Sequence, residues 1–218
     1  MLLFVSSTAL AQYQLTNLVS NQVGVAPHTD PLIVNAWGMV HAPGSPWWIS
    51  DNNSGWSTLY NAAGVKQGLV VEIPTASGGG VGSPTGDVFN GSQDFQVQGS
   101  PSFFLFATLD GTISGWAPQV DLNNAVIAVT VPGAVYTGLA ITSKASGNFL
   151  FAADNANNKV DMYDGSFKLV KSFTTPRFPQ DLRRSAFVIS VACSMLPLPV
   201  RPALRVVSLT SSARRERS

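Results

Sequence analysis

The chain has 218 residues, 45% of them hydrophobic and 11% charged, with a formal net charge of +1. Low charge beside so much apolar content excludes a disordered chain, a coiled coil and, by its total, a strongly basic nucleic-acid binder. A globular chain of one domain is the expectation that remains.

The total hides a break. All eight arginines lie at or beyond Arg177. Residues 1–176 hold five lysines against ten acids, a net of −5, and residues 177–218 hold eight arginines against Asp181 and Glu216, a net of +6. A basic tail is one reading of this switch, and a tail of foreign origin is another.

Residues 1–11 read as the remnant of an export signal. Apolar residues precede Ser6 and Ser7, and Ala9-x-Ala11 has the small-residue cleavage pattern. An ordinary apolar first strand is the alternative. A secreted, periplasmic or cell-surface location is expected, with no transmembrane segment, because no run approaches the roughly 18 to 20 apolar residues a span needs. Cys193 is the only cysteine, so an internal disulfide is impossible.

After a lead-in over 12–34, short β-rich runs alternate with Gly, Asn, Asp, Ser and Pro clusters. Three units recur, over 35–75, 83–132 and 134–175. Each opens with a strand around Gly38, Gly86 or Gly138, spaced 48 and 52 residues apart. An apolar strand follows, over 47–50, 103–107 or 149–153. A polar turn comes next: Asp51-Asn52-Asn53 in the first unit, Asp154-Asn155 in the third, a looser form in the second. A third strand carries Tyr60, Trp116 or Tyr163, and a fourth closes the unit. The second unit holds an insertion over 90–100. Four strands per 40 to 50 residues predict a β-propeller blade. Gly in each opening strand predicts a crowded centre where backbones meet. The fold class expected is all-β: an incomplete β-propeller of about three four-stranded blades with an irregular C-terminal tail. A β-sandwich is the rival.

The run Phe149-Leu150-Phe151-Ala152-Ala153-Asp154-Asn155-Ala156-Asn157-Asn158-Lys159-Val160-Asp161-Met162-Tyr163-Asp164 resembles an NHL-type propeller repeat. The blocks Tyr13-Gln14-Leu15-Thr16-Asn17-Leu18-Val19-Ser20-Asn21 and Pro31-Leu32-Ile33-Val34-Asn35-Ala36-Trp37-Gly38 resemble an uncharacterised family of exported bacterial propeller proteins. The resemblance covers about 12–176. It implies a propeller and export, and brings no activity with it.

The tail departs from that family. Read with the frame shifted back by one base, residues 178–187 permit Leu-Pro-Ala-Gly-Phe-Ala-Pro-Phe-Gly-Ile, which resembles the opening strand of another blade. Residues 177–218 are therefore expected to be a frameshift product, with further blades supplied in a full-length relative.

Candidate chemistry is sparse. Asp51, Asn52, Asp154 and Asn155 could ligate calcium through oxygen, but Asp and Asn also favour turns for local reasons, and that structural role is the expected one. His28 and His41, thirteen apart, match no zinc motif. No Gly-x-Ser-x-Gly elbow occurs, so Ser-His-Asp catalysis lacks an anchor. Gly78–Gly82 lacks the Lys of a phosphate loop and reads as a linker. Trp47, Trp48 and Trp56 could form a sugar or peptide platform, or simply core. No cofactor and no catalytic residue is assigned. The expected function is a non-enzymatic module that binds protein or glycan, with no nucleic-acid partner. The alternatives are a lactonase-like propeller hydrolase or lyase with a central metal, and a truncated product without function.

Overall fold

The computed structural model describes residues 15–174 apart from Gly79. The export motif and the arginine-rich tail, with Cys193, lie outside the described residues.

The described chain is all strand and turn. In the lead-in, β1 (Val19–Ser20) and β2 (His28–Thr29) pair in parallel. Three four-stranded antiparallel sheets follow. β3 (Ala36–His41), β4 (Trp47–Asp51), β5 (Trp56–Tyr60) and β6 (Lys66–Glu72) form the first, in chain order. The second opens with β7 (Pro84–Phe89). A small hairpin of β8 (Gln96–Val97) and β9 (Ser100–Pro101) interrupts it. It then continues through β10 (Phe104–Thr108), β11 (Thr112–Trp116) and β12 (Val126–Thr130). The third comprises β13 (Tyr136–Lys144), β14 (Gly147–Asp154), β15 (Lys159–Asp164) and β16 (Leu169–Thr174). These are three propeller blades set side by side, with β7 flanked by β3 and β13.

Each opening strand slips register at one equivalent place. The pairing shifts between Ala36 and Met39, between Thr108 and Phe106 opposite β7, and between Tyr136 and Leu139. The extra residues are Trp37-Gly38, Thr85-Gly86 and Thr137-Gly138. The recurrent glycines thus mark recurrent bulges, which re-aim the strand. They also mark contact points. A Cβ on Gly38 would strike Asp87 and the Thr85 carbonyl, and one on Gly86 would strike the backbone of Gly138 and Leu139.

The blades are glued by two apolar clusters. Trp48, Leu59 and Val71 of the first blade meet Phe104, Phe106 and Trp116 of the second. The Trp48 ring stacks on Phe104 at 4.1 Å between centroids. Val88, Leu105, Ala107 and Ile113 on the other face of the second blade meet Tyr136, Leu150, Ala152 and Tyr163 of the third. Side chains alternate across a strand, so the middle blade is apolar on both faces. All five residues of β10 are accordingly buried. The run expected to start at Phe103 starts one residue later, and Phe103 itself is 44% exposed.

Candidate functional site

The Asp–Asn turns are internal braces. The Thr58 hydroxyl donates to Asp51 Oδ2 at 2.6 Å. Asn52 Nδ2 donates to the Pro84 carbonyl at 3.0 Å, which ties the first blade to the second. Asn35 Nδ2 donates to Asn52 Oδ1 at 3.2 Å and to Asn53 Oδ1 at 3.0 Å. In the third blade, Asp154 Oδ1 accepts from the amides of Val135 and Asn157, each at 3.2 Å. The Asn155 amide donates to the Val135 carbonyl at 2.9 Å. The four residues therefore sit at equivalent turns of two blades and come to no shared point. Among the described residues no three His, Cys, Asp or Glu gather where a metal ion could be held.

The other sequence candidates also separate. His28 lies in the lead-in pair, whereas His41 ends β3, edge-on to Trp47 with its Nδ1 at 3.0 Å from the Ala42 carbonyl. Trp48 is 3% exposed inside the interface of the first two blades. It is core, and cannot join Trp47 and Trp56 in an open platform.

Two ionic networks hold the blade faces. In one, Asp30 of the lead-in accepts from the Tyr60 hydroxyl at 2.6 Å and pairs with Lys66 at 2.8 Å. Burial would raise the Asp30 carboxyl, but Lys66, Tyr60 and the Leu32 amide outweigh it and hold the group below its usual range. In the other, Lys159 bonds both oxygens of Asp161 at 2.9 Å, and the Tyr136 and Tyr163 hydroxyls meet at 2.7 Å. Burial pushes both phenols upward. These groups consume one another's hydrogen-bonding capacity, with the acids and phenols buried and the two lysines partly exposed.

An open concavity lies elsewhere, where the insertion leaves the second blade. It is a cleft of about 470 Å³, lined among others by Phe89, Ser92, Gln93, Ser100, Phe103 and Gln119. Among the described residues no charged side chain lines it. Its floor is built by Asn90, which is 3% exposed. Asn90 Nδ2 donates to the carbonyls of Ser102 at 2.8 Å and Asp94 at 2.9 Å, and Asn90 Oδ1 accepts from the Ser92 amide at 3.0 Å. Phe95 anchors the far side. It is fully buried, and its ring meets Phe167 of the third blade edge-on at 5.4 Å. Gln98 and Gly99 both have positive φ, 48° and 82°, which is the tight hairpin turn whose twist matches the strands. Asp94 secures the loop from outside, accepting from Asn148 Nδ2 at 2.7 Å. Sequence reading saw only an insertion here. The usable signal was Asn90, Phe95 and Gln98-Gly99 in sequence: a buried-type amide, an aromatic and a turn.

No family model matches the chain. Two uncharacterized proteins of Acanthamoeba polyphaga mimivirus are similar to it. One is 28% identical over 174 residues, covering 76% of the chain and 42% of the relative. The other is 30% identical over 167 residues, covering 73% and 43%. The chain thus spans less than half the length of these relatives. Among solved structures, virginiamycin B lyase from Staphylococcus aureus, in an inactive form with quinupristin, is 14% identical with a TM-score of 0.49, over 69% of this chain and 45% of that one. Hydrazine synthase of Kuenenia stuttgartiensis is 16% identical with a TM-score of 0.49, over 72% and 41%. Likeness of that degree carries no information about activity.

Proposed function

We propose that the chain is a non-enzymatic binding module of an exported β-propeller, and that the cleft of the second blade takes a neutral, hydroxyl-rich ligand of the glycan class. The observation that supports this reading is the cleft's lining. Amide and hydroxyl side chains supply both donors and acceptors. Aromatic rings supply apolar surface with defined geometry. There is no charge to desolvate, and the volume lies within the usual range for small-ligand sites.

Export and the exported, NHL-related family belong to the same proposal. Ala9-x-Ala11 and the blocks at 13–21 and 31–38 support them. Among the described residues no helix is long and apolar enough to cross a membrane. The tail from 177 is proposed as a frameshift product on the strength of its arginines, and sequencing the locus in all frames checks it. An intact frame recurring in close relatives would exclude it.

Calorimetric titration with a panel of neutral oligosaccharides tests the ligand class, with Phe103→Ala for comparison. Phe103 is 44% exposed, so its truncation spares the core. At least one glycan should bind, and about tenfold more weakly to the variant, the equivalent of roughly 1.4 kcal/mol. No binding across the panel, or equal binding by the variant, overturns the proposal.

A further inference from the structure

One buried carboxyl is left out of every network described above. Asp87 lies on β7 at the seam between the first and second blades and is 8% exposed. It is two residues beyond Thr85 and directly opposite Phe106, so it shares the face that meets the first blade. Gly38 abuts it so closely that a Cβ there would occupy the carboxyl's place. Neither Asp87 oxygen has a well-formed hydrogen bond, nor has Oγ of Ser50, which is itself fully buried. Ser57, opposite Ser50 on β5, and Ser114, in the Asp87 row on β11, also keep unpartnered hydroxyls. Burying an isolated charge in such a seam is far costlier than burying a neutral acid.

Among the described residues no neighbour offers a countercharge. β3 brings His41, at its far end and engaged near the Ala42 carbonyl. β4 brings Asp51, a like charge that reaches Asp87. β10 has no titratable residue. β13 brings Tyr136, whose hydroxyl is committed to Asp161 and Tyr163, and Lys144 at its exposed end. The seam therefore holds Asp87 comfortably only with its proton.

We propose that Asp87 is a proton-operated latch between the first two blades: protonated, it lies buried against Gly38 and Ser50, and its ionisation parts the two sheets. Burial raises the carboxyl to about 8, against the easing effect of its own amide and of Ser50, with Asp51 adding to the rise. The latch thus closes at neutral pH and opens in mild alkali.

Trp48 reports on the seam, because its ring stacks there on Phe104. The test follows tryptophan emission and urea unfolding of the full chain from pH 6 to 9.5, for the wild type and Asp87→Asn. The wild type should show a one-proton red shift. Its unfolding constant should rise about tenfold per pH unit relative to the variant up to the midpoint, and the variant's emission should stay flat. Equal pH profiles in the two proteins overturn the proposal. Should Asp87→Asn fail to fold, infrared spectroscopy of Asp51→Asn, which removes the other buried acid that titrates near pH 7, decides. A buried carboxylic-acid carbonyl band at pH 7 that disappears with the emission change supports the latch. Its absence at pH 7, or a loss at a different pH, refutes it.

Discussion

At the scale of single residues, the acids of this chain differ by what surrounds them. Asp30 has Lys66, a phenol and an amide, and stays ionised in its niche. Asp51 is fully buried with one donor, Thr58, and its Oδ1 has no partner. Burial pushes it up to about 7, with Thr58 working against the rise and Asp30 adding to it. The linkage sign follows. The unfolded carboxyl has a pKa near 3.9, so between about pH 4 and 7 the folded state keeps a proton that the unfolded state has lost. Stability that Asp51 confers is complete below about pH 4 and disappears as pH rises through 7. Its slope approaches about 1.4 kcal/mol per pH unit in that window. Asp51→Asn should remove this slope, so denaturation midpoints measured from pH 4 to 8 should fall less in the variant than in the wild type. Parallel profiles would show that Asp51 ionises as it does in water.

At the scale of elements, periodic structure was readable and the cleft was not. The glycine at each opening strand could be seen as a sign of close approach, since Gly is tolerated inside strands mainly where a backbone comes near. Gly38 and Gly86 fulfil that reading. The bulge at each of them was invisible, because a register slip appears only when the partner strand is known. Phe103 shows another limit. The apolar run 103–107 gives no internal mark of where the ladder begins. The Phe104–Phe89 and Phe104–Trp116 pairings place it one residue later, and Phe103 turns into the cleft. The cleft depends on bonds from Asn90 to residues up to 12 positions away, which have no period to read. Asn90→Ala deletes those bonds and leaves buried carbonyls without donors. A loss of about 2 kcal/mol is expected, visible as a lower urea midpoint, together with weakened glycan affinity. A stable variant with unchanged affinity would mean that the loop is held by Phe95 and Asp94 alone.

At the scale of the molecule, the middle blade differs from its neighbours because its two faces serve two cores. Phe104, Phe106 and Trp116 belong to the cluster shared with the first blade, and Leu105, Ala107 and Ile113 to the cluster shared with the third. Alternate residues of the single strand β10 thus bind both neighbours. Arrays in which each unit touches only the next are stabilised by unit and interface contributions in series. Damage at the centre should therefore spread, and damage at a flank should stay local. Phe106 is fully buried, and Phe106→Ala leaves a cavity worth roughly 3–5 kcal/mol. Phe173 is half-buried on the face of the third blade turned away from the second, where Lys171 covers its ring at 4.8 Å. Phe173→Ala should cost less than Phe106→Ala. Amide hydrogen exchange separates the two cases. Phe106→Ala should lower protection in β4 and β14 as well as in β10, because loosening the middle blade withdraws support from both sides. Phe173→Ala should lower it in β15 and β16 and leave β4 unchanged. If Phe106→Ala affected only the second blade, the blades would be independent folding units, and the Asp87 seam would have to open without help from the third.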